Sequence, residues 1–185
     1  MTLTIDPEAG AAVRSTAGPR AARGGVLAEI AARRAREVAV ELADATYAGL
    51  ARDHVAGAVV YPQTPPVGGK HSATWQNCGV YSAPVPNENA VHSLEHGAMW
   101  ITYRPDLPAS EIATVVGDTS GEPYALVSPY PGLPSPIVAS AWGVQLKLNS
   151  ASDPRLKSFI ETYKSGSRAP EPGGECTGGA GTPQG

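Results

Sequence analysis

The sequence predicts an α+β domain with a small, mostly antiparallel sheet and flanking helices. A long Pro/Gly-rich loop precedes a His-x-x-Glu-His segment, and an extra helix lies N-terminal to the domain. Three observations carry this expectation. Short apolar or alternating runs separated by hairpin-length connections recur between residues 98 and 148. Helical periodicity returns around 26–52, 106–117 and 153–165, interleaved with those runs. The 21 glycines and 18 prolines require many turns and long loops.

Taken in order, residues 1–24 are Ala/Gly/Arg/Pro-rich without periodicity and are expected to be disordered. Residues 25–53 form the expected N-terminal helix, centred on "VLAEIAARRAREVAVELADATYAGLAR". Its small apolar stripe of Leu27, Ala31, Ala35, Val38, Leu42 and Ala45 could pack on the domain or pair with a second copy. The globular domain is assigned to 54–168. "HVAGAVVYP" (54–62) reads as a strand ending at Pro62, and 63–89 as a loop long enough to suggest function. Asn87 could cap a two-turn helix and Gly97 end it.

"AMWITYRP" (98–105) alternates like a strand, and Asp106 to Gly117 reads as a short helix carrying Leu107, Ile112, Val115 and Val116. "YALVSPY" (124–130) and "IVASAWGVQLKL" (137–148) are two further strands, the second long enough to bend at Gly143. In "SDPRLKSFIETYKSG", Asp153 is the N-cap, Pro154 the first helical residue and Gly166 the residue past the end. Leu156, Phe159, Ile160 and Tyr163 form its buried face. Residues 169–185 read as a loose Pro/Gly-rich tail.

A net charge of -3 without a basic stripe excludes the electrostatic footprint of nucleic-acid binding. No apolar run approaches the ~20 residues that span a bilayer. The N-terminal residues lack an apolar core followed by a cleavage site, so a cytoplasmic chain is expected. There, Cys78 and Cys176, which form no CxxC pair, are two thiols by default.

All four histidines fall between positions 54 and 96. His92 and His96, four apart on a helix, can share one ion; His71 would arrive from the preceding loop, and His54 from the start of the strand. These four are the candidate metal ligands, against the plainer reading of His54 as a surface residue and His71 as a loop cap. Met99 and Cys78 are candidate soft ligands, although a core methionine and a structural cysteine are the ordinary alternatives. With them, copper is the first choice of ion, followed by zinc or iron.

Glu95 is the candidate catalytic residue. At i+3 from His92 it projects nearby, but at i+1 from His96 it points away. It reaches the metal only if the helix ends before Gly97 or is distorted, so an orienting or acid–base role is expected. The spacing also fits the inverzincin motif, but that motif needs a long helix and a distant acidic ligand, whereas here a strand follows at once.

The function read from these residues is a metalloprotein binding one transition metal, with a metal-transfer partner. One alternative is a metal-dependent oxidoreductase or cyclising enzyme acting on a small organic substrate, its pocket lined by Trp75, Tyr81, Trp100 and Tyr103. A second is a metal-free interaction module using the "PVPNEN" loop.

The ordered segments "YPQTPPVGGKH", "WQNCGVYSAPVPNENAVHSLEHGAMWITYRPDLP", "YALVSPYPGLPSPIVASAWGVQLKL", "DPRLKSFIETY" and "EPGGECTGG" resemble the bacterial domain-of-unknown-function family numbered three-one-zero-five, over about 54–179. The signatures map onto Tyr61, Pro62, Pro65, Pro66, Gly68, Gly69, His71 and His92 through Gly97. The resemblance implies exported relatives held by an N-terminal anchor helix, and with them an inherited Cys78–Cys176 disulfide. This sequence departs from that pattern. Its N-terminal helix carries Glu29, Arg33, Arg34, Arg36, Glu37, Glu41 and Asp44, which cross lipid only at high cost. The departure suggests recruitment to a new task, such as a step in biosynthesis.

Overall fold

A computed structural model describes residues 25–31, 33–34, 43–164 and 166–184, in two compact units, 1–36 and 37–185. In the first unit, 25–31 and 33–34 are helical (α1), with Val26, Leu27 and Ile30 exposed. Residues 35–42 of the expected helix lie outside the described residues. Its last part is not helical. Ala45–Thr46 forms a short strand (β1), Tyr47 N–H donates to Gly143 O at 2.7 Å, and Lys147 N–H donates to an Asp44 carboxylate oxygen at 2.6 Å. Edge pairing therefore overrides the helix propensity of this stretch.

The second unit is built on one six-stranded sheet in the order β1-β6-β5-β3-β4-β2. Its further strands are β2 (Gly79–Val80), β3 (Met99–Tyr103), β4 (Ala125–Pro129), β5 (Ile137–Ala141) and β6 (Val144–Leu148). The helices are α2 (Asn87–Glu95), α3 (Ala109–Asp118) and α4 (Pro154–Tyr163). The α+β class is as expected, but the sheet is mixed rather than mostly antiparallel. β1–β6, β5–β6 and β3–β5 run antiparallel, while β3–β4 and β2–β4 run parallel. The cause is α3: a helical crossover returns the chain to the same end of the sheet, so β4 enters parallel to β3.

Both faces of the sheet are covered. Met99, Ile101 and Tyr103 of β3 join a core with Val115 of α3 and with Leu156, Phe159, Ile160 and Tyr163 of α4. Trp100, between them in sequence, packs on the other side with Ala90, Val91 and Leu94 of α2. The period of two in β3 thus separates two helix layers, which explains why every residue of β3, β4 and β5 is buried.

Local chemistry sets the boundaries. α4 matches its sequence signals: Asp153 accepts from Arg155 N–H at 2.9 Å, Pro154 opens the helix, and the expected four residues are buried. α3 runs through Gly117 and ends at Thr119, whose hydroxyl donates to Val115 O at 3.0 Å. The stretch 137–148 is a hairpin rather than one bent strand, because Trp142 and Gly143 turn the chain. Gly143 has φ 71°, and a Cβ there would meet Tyr47 O at 2.7 Å.

The strand expected over 54–62 is absent. Only His54 forms a bridge, with His71, and Val60 is 97% exposed, so this stretch has no partner to satisfy a ladder. The tail expected to be loose is held to the domain: Ala180 N–H donates to Trp75 O at 2.8 Å and Gln184 N–H to Val80 O at 2.7 Å. No described helix is long and apolar enough to cross a membrane.

Candidate metal centre

α2 carries the centre because its two faces differ in chemistry. Ala90, Val91 and Leu94 are fully buried against the sheet. His92, Glu95 and His96 share the other side by their i, i+3, i+4 spacing. The helix ends at Glu95. His96 is the C-cap with φ -74° and ψ -8°, and Gly97 follows at φ 106°. This is the early ending under which Glu95 can join the histidines. Pro86, rather than Asn87, is the N-cap residue, without a side-chain hydrogen bond.

Two loops supply the other rings. Val55 N–H donates to His71 O at 2.7 Å and His71 N–H to Asp53 O at 3.1 Å, a pairing that sets His54 beside His71. His71 follows Gly68 and Gly69, both at positive φ, and a Cβ on Gly68 would lie 2.7 Å from Leu50. Across the site, Ser93 fastens the loop to α2. Its hydroxyl donates to Gln76 O at 2.7 Å and accepts from Gln76 N–H at 3.0 Å.

His54, His71, His92 and Glu95 each offer one ligand atom, all within 4.8 Å of one another, so the cluster could hold a metal ion. His96 stands at its edge, with Nε2 3.0 Å from His92 Nε2. Glu95 Oε2 lies 2.9 Å from His71 Nε2 and 3.9 Å from His54 Nε2. His71, His92, His96 and Glu95 are buried, whereas the His54 side chain is 49% exposed, so the centre opens to solvent at one corner.

The ring tautomers follow from the backbone. His71 Nδ1 is 2.8 Å from Gly69 O, His92 Nδ1 is 2.7 Å from Ser72 O, and His96 Nδ1 is 2.6 Å from Glu175 O. A carbonyl oxygen only accepts, so Nδ1 carries the proton on each ring and the neutral imidazole turns an Nε2 lone pair inward. His92 and His96 then meet lone pair to lone pair, and His71 Nε2 faces a carboxylate. His71 Nε2 has no well-formed hydrogen bond among the described residues. Contacts of this kind call for a cation, either a proton or a metal. Burial first, and then the neighbouring imidazoles, lower the His92 pKa from 6.5 to about 4, against a hydrogen bond to Ser72 that raises it. A proton is therefore disfavoured on His92 near neutral pH.

The other residues singled out by sequence lie elsewhere. Met99 is fully buried in the α3/α4 core, and Cys78 is bonded to Cys176, so it offers no thiolate. Of the four aromatic residues, Trp75 lies beside the rings, at 5.8 Å from His92 and 5.3 Å from His96 between centroids. Trp100 is fully buried and donates to Ser128 Oγ at 3.0 Å; Tyr81 donates to Asn77 O at 2.8 Å. Tyr103 lines a separate cavity of about 530 Å³ with Val80, Ser82, Ile112 and Val116.

Sequence reasoning missed the carbonyls of Gly69, Ser72 and Glu175, since a backbone acceptor has no residue signature. The Gly173–Gly174 pair was the available hint for the last of these: a Cβ on Gly174 would lie 2.6 Å from the His96 ring.

Fold and site together define an α+β protein with a histidine–carboxylate cluster built on one helix and two loops. The chain belongs to the family described as "Protein of unknown function (DUF3105)", whose model matches residues 54–178. The match begins at His54 and takes in every histidine and both cysteines. Neither a curated protein nor a solved structure matches the chain.

Proposed function

We propose that this protein binds one divalent transition-metal ion through His54, His71, His92 and Glu95, with His96 as a further nitrogen donor. The observation that carries this reading is the tautomer pattern: the buried rings of His71, His92 and His96 each commit Nδ1–H to a carbonyl, which leaves His71 Nε2 beside the Glu95 carboxylate and the Nε2 atoms of His92 and His96 facing each other. Outer hydrogen bonds of this kind fix ligating histidines in metal sites generally.

The donor set also bears on the ion. The preference for copper rested partly on Met99 and Cys78, and neither belongs to the cluster. Imidazoles with one carboxylate suit zinc(II), iron(II) and copper(II), and remove the reason to favour copper(I). Elemental analysis of purified protein tests the reading: close to one ion per chain is expected, lost in His92→Ala. Full occupancy in His92→Ala/Glu95→Ala, or no binding after incubation with each of the three ions, overturns it.

A second reading is a metal-dependent enzyme, with Glu95 as acid–base group and a small organic substrate entering beside Trp75. The half-exposed His54 supports it over a purely structural ion, whose site is closed, although transfer of the ion to a partner needs the same opening. The Cys78–Cys176 disulfide favours an oxidising compartment over the expected cytoplasm.

A further inference from the structure

We infer that the Cys78–Cys176 disulfide positions the metal centre and makes its affinity sensitive to reduction; this rests on the metal reading above. The two cysteines belong to the two segments that orient the facing rings. Ser72, six residues before Cys78, holds His92 through its carbonyl, and Glu175, next to Cys176, holds His96. The disulfide and the Cys78 N–H to Cys176 O bond of 2.7 Å tie these segments together.

The tail between α4 and Cys176 lies directly on the end of α2. Glu171 N–H donates to Glu95 O at 3.0 Å and Gly173 N–H to His96 O at 3.1 Å. Tyr124 Oη donates to Gly174 O at 2.9 Å. These bonds keep the tail near the site when the disulfide opens, so the effect is a loosened His96 ring rather than a lost domain. A dithiol donor reduces the bond by thiolate attack on the sulfur of the part-buried Cys78, with Cys176 leaving as thiolate. The second thiol of a dithiol donor resolves the mixed disulfide, leaving two protein thiols and an oxidised donor.

The test measures zinc(II) affinity of the full chain by chelator competition, before and after reduction with a phosphine, and in Cys78→Ala/Cys176→Ala. The His96 Nδ1–H resonance and amide protection of β3 and β4 are followed in parallel. A ~10–100-fold loss of affinity is expected, with that resonance weakened and the strands still protected. Gly174→Ala, which presses a methyl on the His96 ring with the disulfide intact, should reproduce both changes. Unchanged affinity with an unchanged resonance overturns the inference and leaves the metal reading standing. Loss of strand protection also overturns it, because the bond is then a staple of the whole fold. If the oxidised chain binds no zinc, the competition is run with iron(II) and copper(II); binding of none of the three overturns the metal reading and this inference with it, a result distinct from unchanged affinity on reduction.

Discussion

Glu95 Oε2 lies 2.9 Å from His71 Nε2, on a ring whose other nitrogen is committed to the Gly69 carbonyl at 2.8 Å. The carboxylate therefore sits among the nitrogen donors rather than behind them. Glu95→Gln should lower metal affinity by more than the ~10–100-fold typical of a group that only orients a ligand, approaching the loss in His92→Ala. Calorimetric titration of both variants checks this. Metal retained in Glu95→Gln with a turnover lost would instead assign the residue to acid–base chemistry.

His92 gives a pH dependence of defined sign. Its pKa falls from 6.5 to about 4 on burial. Between those values the unfolded chain holds a proton on this ring that the folded chain does not. The contribution of His92 to the stability of the metal-free protein should therefore decline as pH drops below about 6.5 and level off near 4. Urea unfolding in the presence of a chelator at several pH values measures the slope. His92→Gln should flatten it, and an identical slope in that variant would refute the assignment.

Ser93 is fully buried and joins α2 to the loop that carries Ser72, through Gln76. Ser93→Ala leaves the Gln76 backbone N–H without its hydroxyl acceptor, although a second bond to Asn89 O at 3.1 Å remains. A loss of about 1–3 kcal/mol is expected for a deleted buried partner, read by denaturant unfolding. Weakened metal binding should accompany it, since the loop sets His92 through the Ser72 carbonyl.

Cell fractionation with thiol trapping tests the compartment. Cys78 and Cys176 should be unreactive to alkylation in freshly opened cells until a reductant is added. Free thiols at both positions would return the protein to the reducing cytosol that its sequence suggested.

What was legible in the sequence was what short-range chemistry decides. Asp153, Pro154 and Gly166 mark α4 because capping, fixed φ and a left-handed residue act within one turn. His92, Glu95 and His96 declared themselves by residue type and helical spacing. The mixed sheet did not, since two short apolar runs look the same whether a crossover sets them parallel or a turn sets them antiparallel. β1 was hidden inside a stretch of good helix formers whose pairing with β6 depends on residues a hundred positions away. The hold of the tail on His96 was invisible for a similar reason: it is made by a carbonyl, and Gly174 only leaves room for it.

His54 separates an open coordination site from a closed one. Its side chain is 49% exposed, whereas His92 is only 4% exposed and held by the Ser72 carbonyl. Removing His54 should therefore open the centre to solvent without collapsing it, and water can take the vacated position. Removing His92 leaves a buried gap beside rings already fixed by the backbone. His54→Gly should lose less metal affinity than His92→Gly, and added imidazole should restore it, because the ring has a route in from solvent. The same imidazole should fail to restore His92→Gly, whose cavity lies beneath Trp75 and His96. Titrations with and without imidazole give both results. Equal rescue of the two variants would mean the buried side is as accessible as the open corner, and no rescue of His54→Gly would remove His54 from the ligand set.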